Sequence, residues 1–231
     1  MKHVYFVNAH PDDLLAVIGT ALKLKNVSGC ALHVVDMTHG ERGLAWTTPP
    51  DECAAIRDVE ERTVCSYLGV EPVWLQEHDG DSFASEESTR QLAEMYVAEP
   101  PDVIFTQWPV DLHLDHMVCA TVALNAFRMA SGITEGRLLK GWPEVYFYHY
   151  AGNSLADSPD YFVPLTEAEV KVKTDIISLY RCQNGPIMAE TEKKTNLFYG
   201  SRIGTEYAEA FTRMQPLIAG RKAVLDGLLG K

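Results

Sequence analysis

His3-Val4-Tyr5-Phe6-Val7-Asn8-Ala9-His10-Pro11-Asp12-Asp13 carries the signals that decide the fold class. Residues 3–8 are short, apolar and β-rich, the pattern of a buried strand. The run stops at a polar turn, Ala9 to Asp13. Beyond it Leu15, Ile18, Leu22 and Lys25 fall roughly on one stripe, which predicts a helix over 14–25 that ends in residues 26–29. A strand, a polar turn and a helix in immediate succession form the repeating unit of an α/β sheet.

The unit recurs downstream. A strand is expected over 30–36, followed by a long loop, 37–50, that contains Gly40 and Gly43. A helix over 51–68, with Ile56, Val59, Thr63 and Tyr67 spaced for one face, closes at Gly69. Then come a strand over 71–76, a polar loop over 78–82 and a helix over 85–98 stopped by Pro100-Pro101. A strand over 102–106, a polar loop over 108–115 and a helix over 116–129 complete the alternation, which predicts a mostly parallel sheet with helices on both faces. After about residue 131 the pattern changes to strands over 144–150 and 161–164 and a helix over 166–180, begun by a Thr166/Glu169 capping box. Residues 207–219 are assigned a last helix. With no internal repeat and no linker, the whole of 1–231 is taken as one domain with a C-terminal strand and helix extension.

Length and composition bound the rest. At 231 residues the chain can bury a full core without staples. Its formal charge of −12 disfavours nucleic acid and anionic membranes as partners, since both require a basic face. That charge says nothing against a small neutral substrate. Cys30, Cys53, Cys65, Cys119 and Cys182 are scattered and odd in number, which points to reduced thiols and away from a thiolate zinc site. No apolar run approaches the length of a membrane span, and the N-terminus lacks a leader pattern, so a cytoplasmic, soluble protein is expected.

Two polar clusters fall where α/β sheets bind ligands, beyond the carboxyl ends of strands. One is His10-Pro11-Asp12-Asp13, the other Asp111-Leu112-His113-Leu114-Asp115-His116. If the first and fourth strands are neighbours, three histidines and four carboxylates meet in one crevice, an expensive concentration of polarity without a cation. His10, Asp13 and His116 make an open zinc shell of two imidazoles and a carboxylate, a set that suits iron(II) and other divalent ions as well. Asp12, turned elsewhere by the Pro11 bend, is left as general base for the attacking water. His113 is the partner that stabilises the oxyanion or protonates the leaving amine, Asp115 the group that orients a histidine, and Asp111 a second orienting carboxylate or a loop cap. Either cluster alone is weak, because Asp and Pro also favour turns and helix caps. His33 and His149 are read as structural and His3 as surface, whereas His39 and His78 sit near the expected crevice mouth.

The two clusters resemble the zinc-dependent de-N-acetylases of the LmbE/PIG-L-like family, which carry Ala-His-Pro-Asp-Asp after the first strand and His-Pro-Asp-His later. Ala9 to Asp13 match the first motif; His113 to His116 match the second with Leu114 in place of proline. Met37 to Gly43, Arg57 to Glu60, Asp79-Gly80, Lys173 to Gln183 and Tyr207 to Phe211 resemble further family segments. The resemblance implies a Rossmann-like fold without a nucleotide, zinc held as above, and an N-acetylated small-molecule substrate bearing N-acetylglucosamine. Glu41, Arg57, Asp79 and Asp111 would then touch substrate, Asp111 standing where some relatives have a tyrosine acid. Arg57 could equally be an exposed helix residue paired with Glu60 or Glu61, and Asp79-Gly80 only a turn. Other readings are a metal hydrolase of a different acylated metabolite and a non-catalytic metal or sugar binder. Trp46, Phe83, Trp108 and Tyr146 are pocket walls or packing. Homo-oligomers are common in general and known in the family.

Overall fold

The computed structural model describes residues 1–27, 29–135, 141–150, 154–155, 158–214 and 223–231. Seven strands make one sheet: β1 (Lys2–Asn8), β2 (Cys30–Asp36), β3 (Val73–Trp74), β4 (Val103–Gln107), β5 (Glu144–Tyr148), β6 (Tyr161–Leu165) and β7 (Tyr207–Arg213). Their order is β3-β2-β1-β4-β5-β7-β6. The strands run parallel except β7, which lies antiparallel between β5 and β6.

The helices are α1 (Ile18–Lys25), α2 (Pro50–Leu68), α3 (Glu86–Ala98), α4 (Leu114–Ile133), α5 (Glu167–Ile177), α6 (Gly185–Ile203) and α7 (Val224–Leu228). They cover both faces, as β1 shows in miniature. Val4 and Phe6 join one core cluster with Leu14, Ile18 and Val64, while Tyr5 and Val7 join the other with Leu92, Cys119 and Ala123. The strand's two-residue period therefore feeds two cores, which is why it reads as continuously apolar. Phe6 stacks on Phe105 at 5.3 Å across β1 and β4.

The chain leaves β1 toward β2 and β3 on one side, then returns to place β4 on the other, with Val4 opposite Val103 and Val7 opposite Thr106. The order reverses between β1 and β4, which opens a crevice at their carboxyl ends. No helix among the described residues is long and apolar enough to cross a membrane.

Several expectations are adjusted. Residues 13–16 form a 3₁₀ turn before α1, and the third strand is reduced to two paired residues. The helix assigned to 207–219 is wrong over its described part, because Tyr207–Arg213 is β7. Ala and Glu made that run look helical, but pairing with strands on both sides overrides local propensity. The extension thus completes the main sheet. α6 has no counterpart in the sequence reading; Pro186 occupies its first turn, where a missing N–H costs nothing. α5 begins with the expected Thr166/Glu169 capping box.

Candidate active site

The parallel pairing of β1 with β4 brings the two polar clusters together. The His10 and His116 rings lie 5.6 Å apart, and His113 is 4.8 Å from each. His10 and Asp13 come from the turn after β1. His113 is the N-cap of α4, and Asp115 and His116 stand in that helix's first turn.

Asp13 is aimed by its own turn. Its Oδ2 accepts from the Ala9 N–H at 3.1 Å, the His10 N–H at 2.8 Å and Gln107 Nε2 at 2.6 Å. Its Oδ1 faces His116 Nε2 at 3.6 Å, too far for a hydrogen bond and a gap that a cation would close. Burial opposes ionisation of Asp13, but the His116 and His10 imidazoles hold its carboxyl below the ordinary range.

His10 presents its second nitrogen, Nε2, to Asp115 Oδ2 at 3.0 Å and to Asp79 Oδ1 at 3.3 Å. Burial disfavours a charge on His10, yet these contacts and the one to Asp13 win and raise it well above its usual value. The ligand atoms of His10, Asp13 and His116 all lie within 4.8 Å of one another, as do those of an overlapping set, His10, Asp79, His113 and Asp115. Buried His116 Nδ1 has no hydrogen-bond partner, although Asp111 Oδ1 stands 3.3 Å away in poor alignment. Two imidazoles and a carboxylate held this close together fit a divalent ion.

Asp12 belongs to neither set. Its backbone adopts φ 101°, a left-handed conformation that costs a non-glycine residue roughly 1–3 kcal/mol. Its N–H donates to Glu61 Oε2 at 3.3 Å, and its Oδ1 lies 3.1 Å from Arg57 Nη2. Burial pushes the Asp12 carboxyl up to about 7, against the pull of Arg57 and with a push from Asp13. His113 Nδ1 accepts the Asp115 N–H at 3.3 Å, so the neutral ring carries its proton on Nε2. Burial and the neighbouring His10 and His116 rings lower His113 below its ordinary value.

The supporting residues differ from expectation in detail. Arg57 is buried, which excludes the exposed ion pair; its guanidinium donates to the Pro11 and Gly40 carbonyls and faces Asp12. Asp79 is buried beside His10 and accepts the Arg42 N–H, while Glu41 Oε1 accepts the Asp79 N–H. Asp111, expected among the substrate contacts, is buried and accepts from the His113 N–H and Ser154 Oγ, the orienting arrangement. Asp115 accepts from the Gly80 N–H and Ser82 Oγ; burial works against its charge, but these donors and His10 hold it low.

His39 bonds Asp58 and stacks on Trp74, and His33 stacks on Tyr5. Tyr146 is core, while Trp46 and Phe83 are exposed. Gln107, Glu61, Ser82 and Tyr150, whose ring is 5.2 Å from His116, were missed. None sits in a recognisable motif; only the fold brings them in.

Comparisons with known proteins identify the chain's relatives. The family described as PIG-L, GlcNAc-PI de-N-acetylase, matches residues 5–127. The N,N'-diacetylchitobiose deacetylase of Pyrococcus horikoshii is 26% identical with a TM-score of 0.78, over 92% of this chain and 84% of that one. The 4-oxalmesaconate hydratase of Pseudomonas putida is 26% identical over 71% of this chain and 68% of its own length. The structure of GalB, the 4-carboxy-2-hydroxymuconate hydratase of Pseudomonas putida KT2440, superposes with a TM-score of 0.77 at 21% identity, over 96% and 100% of the two chains.

Proposed function

Because the chain belongs to the PIG-L family, we propose that it is a divalent-metal-dependent hydrolase that removes an acetyl group from the nitrogen of an amino sugar or its conjugate. One observation carries the reading. His10, Asp13 and His116 converge on one point, while a carboxylate and an imidazole unnecessary for holding an ion, Asp12 and His113, stand beside it.

His10, Asp13 and His116 would hold the ion, zinc in the first instance, with iron(II) equally suited to the donors. Bound there, it supplies a Lewis acid that polarises the amide carbonyl and makes water acidic. Asp12 takes the proton of the attacking water, and a carboxyl near 7 is matched to that task at neutral pH. Arg57 keeps Asp12 ionised and fixes its direction. Asp115 holds the His10 ring, and Asp111 stands behind His116. His113, half-buried with its proton on Nε2, donates a hydrogen bond to the oxyanion, and the proton taken up by Asp12 passes to the departing nitrogen. Glu41 and Asp79, tied to one another beside His10, form the wall nearest the sugar.

The test is release of free amine and acetate from N-acetylglucosamine conjugates by metal-loaded protein. Asp12→Asn should lower kcat by about 10²–10⁴. Undiminished turnover would remove Asp12 from the role, and an inert panel would remove the reaction. The Pseudomonas putida relative supports a second reading, hydration of a carbon–carbon double bond. Consumption of 4-oxalmesaconate together with an inert acetamide panel would establish it. The acidic crevice argues for the first: Asp12, Asp13, Asp79, Asp111 and Asp115 surround the histidines, and a polyanionic substrate would enter against that field.

A further inference from the structure

Two histidines that take no part in the crevice come together toward the other end of β1. His3 is the second residue of that strand, and His33 of β2 stands opposite Tyr5, two residues further on, so both imidazoles lie on the sheet face that α3 covers. Their nitrogens meet: His3 Nδ1 and His33 Nε2 are 3.1 Å apart. The His33 ring is fixed by stacking on Tyr5, with centroids 4.2 Å apart. Its other nitrogen, Nδ1, faces Glu99 Oε2 at 3.6 Å, beyond hydrogen-bond reach. Glu99 caps the C-terminal end of α3, and its backbone carbonyl accepts from the Tyr5 hydroxyl at 2.9 Å. Its side chain, by contrast, is half exposed and able to turn. Ligand atoms of the three residues all lie within 4.8 Å of one another. Asp102, which accepts the His3 N–H at 3.0 Å, is already engaged by Lys2 Nζ at 2.6 Å.

We propose that His3, His33 and Glu99 form a second divalent-metal site, for zinc or a similar first-row ion, that clasps β1, β2 and α3 together. Two imidazoles and a carboxylate are the donors of an open zinc shell, and bonds of about 2.05 Å at tetrahedral angles set two nitrogens about 3.3 Å apart. The observed 3.1 Å needs little adjustment. Burial lowers the His33 pKa, with Glu99 opposing the fall and His3 adding to it, so the ring is neutral at pH 7 and its lone pair is available. Along β1, His3 lies roughly 20 Å from His10, too far for the two ions to share a ligand. The task of this ion is structural. β1 carries the His10 turn at its far end, and the ion ties the near end to β2 and α3. A hydrogen bond between the two imidazoles is the alternative, and it predicts no metal uptake.

The experiment is zinc titration of the metal-stripped, full-length protein by calorimetry, with elemental analysis of the loaded product. His116→Ala silences the crevice so that the second site is read alone. That variant should keep one equivalent of zinc, bound more weakly than in the crevice because these donors are partly exposed. Adding His3→Gln or His33→Gln should remove the equivalent, and adding Glu99→Gln should weaken it about 10–100-fold. Zinc at 100 times its dissociation constant should raise the Tm of His116→Ala by roughly 5–10 °C. The exposed Glu99 side chain makes Glu99→Gln the variant least able to disturb folding, and at the same zinc concentration it should cut that rise. No zinc uptake by His116→Ala at sub-millimolar concentration overturns the proposal, and so does uptake that survives His3→Gln. An affinity untouched by Glu99→Gln overturns it too, since the third ligand is then missing. His3→Gln removes one equivalent from the wild type as well, whatever the crevice binds, so this site and the crevice are tested separately.

Discussion

Replacing Arg57 by glutamine removes the cation 3.1 Å from Asp12 and leaves a side chain that can still donate to the Pro11 or Gly40 carbonyl. At that separation and an effective dielectric of about 20, the attraction is on the order of 5 kcal/mol, nearly four pKa units. Water entering the vacated space screens much of it, and the usual range for a carboxylate beside arginine is about 1–3 units. The direction is fixed: burial has already pushed Asp12 up to about 7, and Arg57 opposes that push. Loss of the guanidinium raises Asp12 further. A base acts in its deprotonated form, so the acid limb of kcat/KM against pH moves to higher pH by about 1–3 units. Activity at pH 7 falls by a similar number of powers of ten and returns as the pH is raised. A bound divalent ion lowers the starting value without changing the sign of the displacement. Gly43→Ala provides the companion variant, since a Cβ there meets the Arg57 guanidinium and must push it aside. It keeps the charge, moves it from Asp12, and should shift the limb the same way by less. Equal metal content and unchanged circular dichroism are the controls. An Arg57→Gln acid limb that superposes on the wild type would refute the assignment of Asp12 as base, of Arg57 as its support, or both.

In the metal-free protein the His10 imidazole is held well above its ordinary value, so metal binding at pH 7 should expel about one proton. Calorimetry in buffers of different ionisation enthalpy measures this, and zero release means that His10 is not a ligand. His116→Ala should abolish tight zinc binding in the same titration; a fully loaded variant assigns the third ligand elsewhere. Lys173 is fully buried between Glu192 at 3.0 Å and Glu209 at 2.8 Å, so Lys173→Met strands two buried carboxylates. The loss should be about 3–5 kcal/mol, or roughly 6–20 °C in Tm, read by thermal unfolding. Burial opposes the Lys173 charge, but Glu209 and Glu192 outweigh it and raise its pKa. The contribution is therefore complete below the unfolded lysine value of about 10.4 and fades only above it, so the Tm difference should hold across neutral pH.

The sequence displayed the fold where local and global signals agree. β1 reads as a strand because both its faces are buried, and the turn after it reads as a turn because Pro11 and two aspartates sit there. The reading failed where tertiary pairing overrides propensity. Tyr207–Arg213 contains Ala208, Glu209 and Ala210, all good helix formers, yet Glu209 is held inside by Lys173, Thr20 and the α1 N–H groups while the strand is paired on both sides. The candidate site divides in the same way. His10, Asp12, Asp13, His113 and His116 lie in two compact motifs. Glu61 and Gln107 lie about 50 and 95 residues from the turn they support, and nothing local distinguishes them from any other polar residue in a helix or strand.

A deacetylase and a hydratase both resemble this chain, and deacetylation and hydration each add water to a carbon. The motifs that supply the base and the ion therefore cannot choose between an acyl carbon and an alkene. The choice lies in what surrounds them. Here the crevice is lined by carboxylates, with Arg57 already engaged by Asp12, and Leu112 and Leu114 on either side of His113 are exposed. Such a field disfavours a polycarboxylate and leaves a neutral amide unaffected. On the deacetylase reading this lining suits a neutral, acylated substrate. Adding cations beside His113, as in Leu112→Arg/Leu114→Arg, should improve binding of an organic polyanion, which calorimetry reads. A polyanion bound no better by that variant than by the wild type would show that the field at the mouth does not set the choice.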